Sequence, residues 1–86
     1  MQLSAVIPVY NGGAYVSTTI DSVLRQEGVE LEVIVVDDGS TDDTPSILRG
    51  FEGRIRSVRQ ENRGLSAARN TGIGMALGRY VAFVDA

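Results

Sequence analysis

Cysteine, histidine, lysine and tryptophan are all missing from this 86-residue sequence. Without cysteine there is no disulfide framework, no thiolate nucleophile and no thiolate metal ligand. Without histidine, every His-dependent triad is excluded, together with the commonest transition-metal ligand. The absence of lysine excludes Schiff-base chemistry. There is no apolar run of about 18 residues, so no membrane-spanning helix is expected. The opening Met1-Gln2-Leu3-Ser4 lacks the basic start of a signal peptide. A cytoplasmic location is therefore expected, or a membrane-peripheral one within a longer protein. Positive charge is scarce: eight arginines face eleven acids, for a net charge of −3. A pI near 4.7 argues against nucleic acid as a partner. What remains for chemistry is carboxylates, arginine, amides, hydroxyls and the backbone.

What is present is ordinary globular material, 43% hydrophobic and 22% charged. The length suits one domain or less. No repeat, linker or low-complexity stretch interrupts it. Four runs read as strands: Leu3 to Pro8, Leu31 to Val36, the weaker alternating Ile55 to Arg59, and Tyr80 to Val84. Three stretches between them have helical spacing: Gly13 to Gln26, Asp42 to Phe51 and Leu65 to Leu77. Thr41 or Asp42 is the expected cap of the second helix, with Pro45 in its first turn. Asn62 or Ser66 stands near the start of the third, and Gly78 is its stop.

The order βαβαβαβ predicts an α/β fold, a Rossmann-like parallel sheet with crossover helices. Right-handed crossovers give strand order 3-2-1-4, with the first two helices on one face and the third on the other. Ligands should then bind at the switch point between strands 1 and 4, outside their carboxyl ends. The residues delivered there are Pro8, Val9, Tyr10 and Asn11, then Asp37, Asp38, Gly39 and Ser40, then Asp85 and Ala86.

Adjacent acids at the end of a wholly apolar strand are costly unless something pairs with them. Asp37 and Asp38 are therefore candidates to accept hydrogen bonds from a nucleobase imide or ribose hydroxyls. Asp42 and Asp43 read as helix capping and dipole charges. A calcium loop starting at Asp38 fails, because its sixth and twelfth places hold Asp43 and Arg49. An aspartyl nucleophile of the phosphatase type would want alternating acids and a lysine. Gly12-Gly13 is neither a dinucleotide fingerprint nor a P-loop. Arg69 lies four residues after Leu65 and four before Ile73, on the same helical stripe. It either carries its charge out to solvent or pairs with Asp37, Asp38 or a ligand phosphate. Asp85 reads as a strand-end acid, or as the first member of an Asp-x-Asp pair that would hold a divalent cation beside a sugar nucleotide.

Five segments together resemble the N-terminal half of a family 2 glycosyltransferase of the GT-A fold. They are Ser4 to Asn11, Ile20 to Gln26, Val33 to Asp42, Asn62 to Gly72 and Gly78 to Ala86. The resemblance spans the chain in order. It implies transfer of a sugar from a nucleotide donor, usually a UDP-sugar, to an acceptor hydroxyl with inversion, using Mg²⁺ or Mn²⁺. By position, Pro8, Val9, Tyr10 and Asn11 would line the nucleoside pocket. Asp38 would read the uracil edge, with Asp37 and Gly39 beside it. Arg69 would approach the base or diphosphate, and Asp85 would be the first acid of the metal motif, its second ligand absent. The resemblance places the catalytic base, a carboxylate, outside these residues. Residues 1–86 are thus expected to be the nucleotide-sugar-binding half of an incomplete domain that does not turn over alone. Its acceptor is not written in these residues. The rival expectations are a stand-alone nucleotide- or metal-binding module, and a half-domain that self-associates through Tyr80–Val84 without activity.

Overall fold

The computed structural model describes residues 1–85; Ala86 lies outside the described residues. The elements are β1 (Leu3–Val9), α1 (Val16–Leu24), β2 (Leu31–Asp37), α2 (Thr44–Arg49), β3 (Arg56–Arg59), α3 (Leu65–Met75) and β4 (Tyr80–Phe83). The four strands are parallel, in the expected order β3-β2-β1-β4. β1 and β2 are the central strands. They are apolar without strict alternation because helices cover both their faces.

One face packs Ile7, Val9, Val33 and Val35 against Val16 and Ile20 of α1 and against Leu48 and Phe51. The other packs Val6, Ile34 and Val36 against Ala68 of α3. The third helix therefore stands alone on its side, as the crossover argument requires.

The buried side of α3 is only part of the apolar pattern that helical spacing gives to Leu65, Ala68, Gly72, Ile73, Ala76 and Leu77. Leu65 and Ile73 are 50% and 48% exposed, whereas Ala68 and Gly72 are buried. Small residues win because the helix lies close on β1. A Cβ placed on Gly72 would come within 2.3 Å of Val6 Cγ1. Such overpacking costs about 1–3 kcal/mol.

The helices are shorter than their patterns, for local reasons. α1 begins at Val16 because Gly12 O takes the N–H groups of both Tyr15 and Val16 in a tight turn. Asp43, not Thr41 or Asp42, occupies the N-cap position of α2, without a side-chain hydrogen bond. Asp42 caps from one place further out: its Oδ1 accepts from Thr44 N at 2.9 Å and from Thr44 Oγ1. At α3, Gly64 takes the N-cap position, and neither Asn62 nor Ser66 caps it by side chain. The group that holds this end comes from the loop after β2.

Candidate functional site

Three loops converge at the carboxyl end of the sheet, and short polar side chains tie them together. Asn11 sits in the left-handed region, φ 52. Its Oδ1 accepts from Thr41 N at 2.8 Å and Asp42 N at 3.3 Å, and its own N–H donates to Ser40 Oγ at 2.9 Å. Asn11 is thus a stitch between the loop after β1 and the loop after β2. Gly39, φ 77, lets the third loop close in, since a Cβ there would lie 2.8 Å from Asn62 N.

The two adjacent acids have separate partners. Asp37 is 2% exposed. Its Oδ2 accepts from Arg59 Nη1 at 2.8 Å and its Oδ1 from Ser40 N at 2.9 Å. Arg59 stands directly across the ladder, in register with Asp37. Asp38 is 4% exposed and has no ion pair among the described residues. Its Oδ1 accepts from Gln60 Nε2 and Arg63 N, its Oδ2 from Gly64 N, each at 2.9 Å. Burial pushes its carboxyl pKa up, but the Gln60 amide, the two backbone N–H groups and the Arg63 charge outweigh that and hold it below the usual range. Asp38 is therefore an ionised carboxylate whose direct hydrogen-bond donors are neutral.

Asp38 closes one side of a cleft of about 350 Å³, lined also by Pro8, Val9, Tyr10, Asn62, Gly64, Leu65 and Ala68. The walls are mostly apolar and the single charged group is the acid. Such a space suits a flat, partly apolar ring with a hydrogen-bond donor on its edge.

Of the residues singled out from the sequence, Pro8, Val9, Tyr10 and Asp38 come together in this cleft. Asn11 and Gly39 shape its loops without lining it. Asp37 is turned to a separate hollow of about 200 Å³, shared with Pro45, Arg49 and Arg59. Arg69 pairs with neither Asp37 nor Asp38, because Arg59 and the loop amides already hold those acids. Its guanidinium lies over the Phe83 ring at 5.5 Å, and its Nε is buried without a partner. Asp85 follows β4, exposed. Among the described residues, no three acid side chains converge to hold a metal. One exposed carboxylate does not by itself make a divalent-cation site.

Sequence reasoning missed Gln60, Asn62 and Gly64 as site residues, and Arg59 as the partner of Asp37. The Arg59 pairing had a signal: with β3 beside β2, the last residues of the two strands must face each other. Gln60 had none, because its role depends on how the loop before α3 folds back.

Comparison with known proteins follows the same lines. The family model for glycosyl transferase family 2 matches residues 4–86. The glycosyltransferase GlyA of Streptococcus pneumoniae is 44% identical over 98% of this chain, which corresponds to 12% of that protein. Staphylococcus aureus TarS, as a crystal structure of its residues 1–349, superposes with a TM-score of 0.89 at 33% identity. The match covers 99% of this chain and 27% of that TarS fragment. The same TarS fragment in complex with UDP-GlcNAc gives 0.85 at 32% identity, over 99% of this chain and 26% of that one. The Pyrobaculum calidifontis mannosyltransferase PcManGT, in complex with GDP-Man and Mn²⁺, gives 0.84 at 30% identity, over 98% and 27%. These neighbours are GT-A glycosyltransferases. The chain spans 12% to 29% of the length of the curated relatives it matches.

Proposed function

Because this chain belongs to glycosyl transferase family 2, we propose that its 86 residues are the nucleotide-binding part of an inverting glycosyltransferase that takes a UDP-sugar donor. The observation that carries this reading is Asp38. Of the buried acids Glu32, Asp37 and Asp38, it is the one without an ion pair, and it lines the cleft at the switch point. Keeping an ionised carboxylate buried costs free energy unless its partners compensate. Here they leave the charge itself open to a ligand.

In the proposed arrangement the base slides between Tyr10 and Leu65, over Pro8 and Ala68. Its imide N–H donates to Asp38. Arg69 and Asp85 then belong to the diphosphate and ribose side, Arg69 exchanging its place over Phe83 for a phosphate. Asn11, Asp37 and Gly39 keep the loops in shape. Mg²⁺ or Mn²⁺ enters this reading by family only. Transfer needs a second metal-motif acid and a base that these residues do not carry, so the 86 residues alone bind donor without turning it over.

Calorimetry with UDP and CDP tests the reading. Uracil presents N3–H to Asp38, whereas cytosine presents a bare N3 acceptor and meets repulsion. A hydrogen bond to a charged group is worth about 1.5–3 kcal/mol, roughly a 10- to 100-fold preference for UDP. Asp38→Ala should remove that preference. Equal affinity for the two nucleotides in the wild-type chain would falsify the assignment.

A further inference from the structure

A chain of side chains stands behind Asp38 and makes no contact with the cleft. Gln60 follows β3, is half-buried, and donates through Nε2 to Asp38 Oδ1 at 2.9 Å. On its other side, Gln60 Oε1 accepts from Thr71 Oγ1 at 2.6 Å. Thr71 is on α3, and its hydroxyl also lies 3.0 Å from Ala67 O, one turn back. Neither Gln60 nor Thr71 lines the cleft.

An amide side chain has a donor end and an acceptor end, and a flip exchanges them. The ionised Asp38 carboxylate, which can only accept, draws the NH₂ end to itself, and the Thr71 hydroxyl meets the acceptor end that remains. Were the amide flipped, its carbonyl would face the Asp38 oxygens, tolerable only with that acid protonated. We infer that Gln60, braced through its carbonyl by Thr71, is a positioning residue that keeps Asp38 charged and aimed at the ligand. The inference rests on the nucleotide site proposed above, but part of its test does not.

The charged and titratable groups around Asp38 leave room for such a device. Arg63, in the loop that closes over Asp38, lends positive charge without an ion pair. Asp37, next on the chain, is taken up by Arg59. Tyr10 is the titratable group that β1 brings to the cleft. The one charged residue of α3, Arg69, lies over Phe83. With no cation bonded to it, the carboxylate depends on its neutral donors, and Gln60 is the only side chain among them.

The test titrates the Asp38 carboxyl by carbon-detected NMR in the ligand-free chain, and UDP affinity against pH alongside it. The variants are Gln60→Leu, Thr71→Val and Thr71→Ser. In Gln60→Leu the Asp38 midpoint should rise by about one pH unit, and the acid limit of UDP binding should rise with it. Thr71→Val should shift both in the same direction by less, and Thr71→Ser, which keeps the hydroxyl, should restore the wild-type midpoint. An unmoved midpoint in folded Gln60→Leu overturns the inference. Should Gln60→Leu fail to fold, the contrast between Thr71→Val and Thr71→Ser decides, and equal midpoints in those two overturn it. A moved midpoint without UDP binding in any variant upholds the role of Gln60 and counts against the nucleotide reading instead.

Discussion

Glu32 near the amino end of β2 and Asp38 just past its carboxyl end are both buried, and these two acids do different work. At the amino end, Glu32 accepts from Ser4 Oγ at 2.7 Å, from Leu77 N at 2.8 Å and from Arg56 Nη1 at 2.9 Å. Arg56 also donates to Met75 O, at the end of α3. At the carboxyl end, Asp38 accepts from the Gln60 amide and from Arg63 N and Gly64 N, just before α3 begins. β2 thus holds α3 at both ends by carboxylates. The difference lies in the partners. Glu32 has a cation bonded to it and serves the fold. Asp38 has neutral donors and a cleft, so its charge remains available. A buried acid is a candidate for function when its neighbours satisfy its hydrogen bonds without cancelling its charge.

The sharpest way to break this comparison is to remove the structural acid. Glu32→Ala leaves Ser4, Leu77 N and Arg56 without their acceptor. Losing one partner of a buried pair costs about 3–5 kcal/mol, and the lower figure applies because the Arg56 side chain is 44% exposed. A chain of this length has a total stability of roughly 4–13 kcal/mol. Urea denaturation should show about 3 kcal/mol of that stability gone, while the folded fraction keeps its UDP affinity. A variant that is stable but fails to bind UDP would mean that the two ends do not divide the work as described.

Acid pH addresses both ends at once. Burial raises the Glu32 pKa, but Ser4, Leu77 N and Arg56 more than offset this and leave it lowered, as Asp38 is. Groups with depressed folded values stabilise the fold above the unfolded carboxylate range, about pH 4, and lose that contribution as pH falls through the folded values. The melting temperature should hold steady from neutrality to about pH 5 and drop below pH 4. Glu32→Gln should flatten the drop. Saturating UDP should steepen it, because only the ionised Asp38 binds. A drop that UDP leaves unchanged would separate Asp38 from the ligand.

The smallest effect expected concerns the two edges of the sheet. β3 exposes Arg56 and Arg59, charges that discourage edge pairing. β4 exposes Tyr80, Val81 and Phe83, with Tyr80 at 62%. We expect self-association through β4. Sedimentation should show weak dimers at about tens of micromolar, and Val81→Lys with Phe83→Lys should yield monomer. Val84 is no place for such a change, since it packs against the core beneath α1 and α2. A wild-type chain that stays monomeric would show that both edges are equally protected.

Much of this was legible in the residues themselves. Apolar runs separated by helical patterns point to a parallel sheet, and right-handed crossovers in a doubly wound sheet suggest 3-2-1-4 as the order. The same order brings Pro8, Tyr10 and Asp38 to one crevice, because loops at the carboxyl ends of neighbouring strands have nowhere else to meet. Chain pattern reports which residues share a face and which strand ends converge; it carries no record of which donor reaches which acceptor across the fold. That is why Asp37 and Asp38 read alike in sequence: strand register points Arg59 toward Asp37, but only the folded chain brings Gln60 to Asp38. It is also why spacing alone leaves Arg69 open between solvent and these acids, and why it does not tell that, of the apolar positions on the third helical stretch, Ala68 and Gly72 turn inward while Leu65 and Ile73 stay half exposed. Helical spacing identifies an apolar stripe, but the distance between helix and sheet decides which side chains fit beneath it.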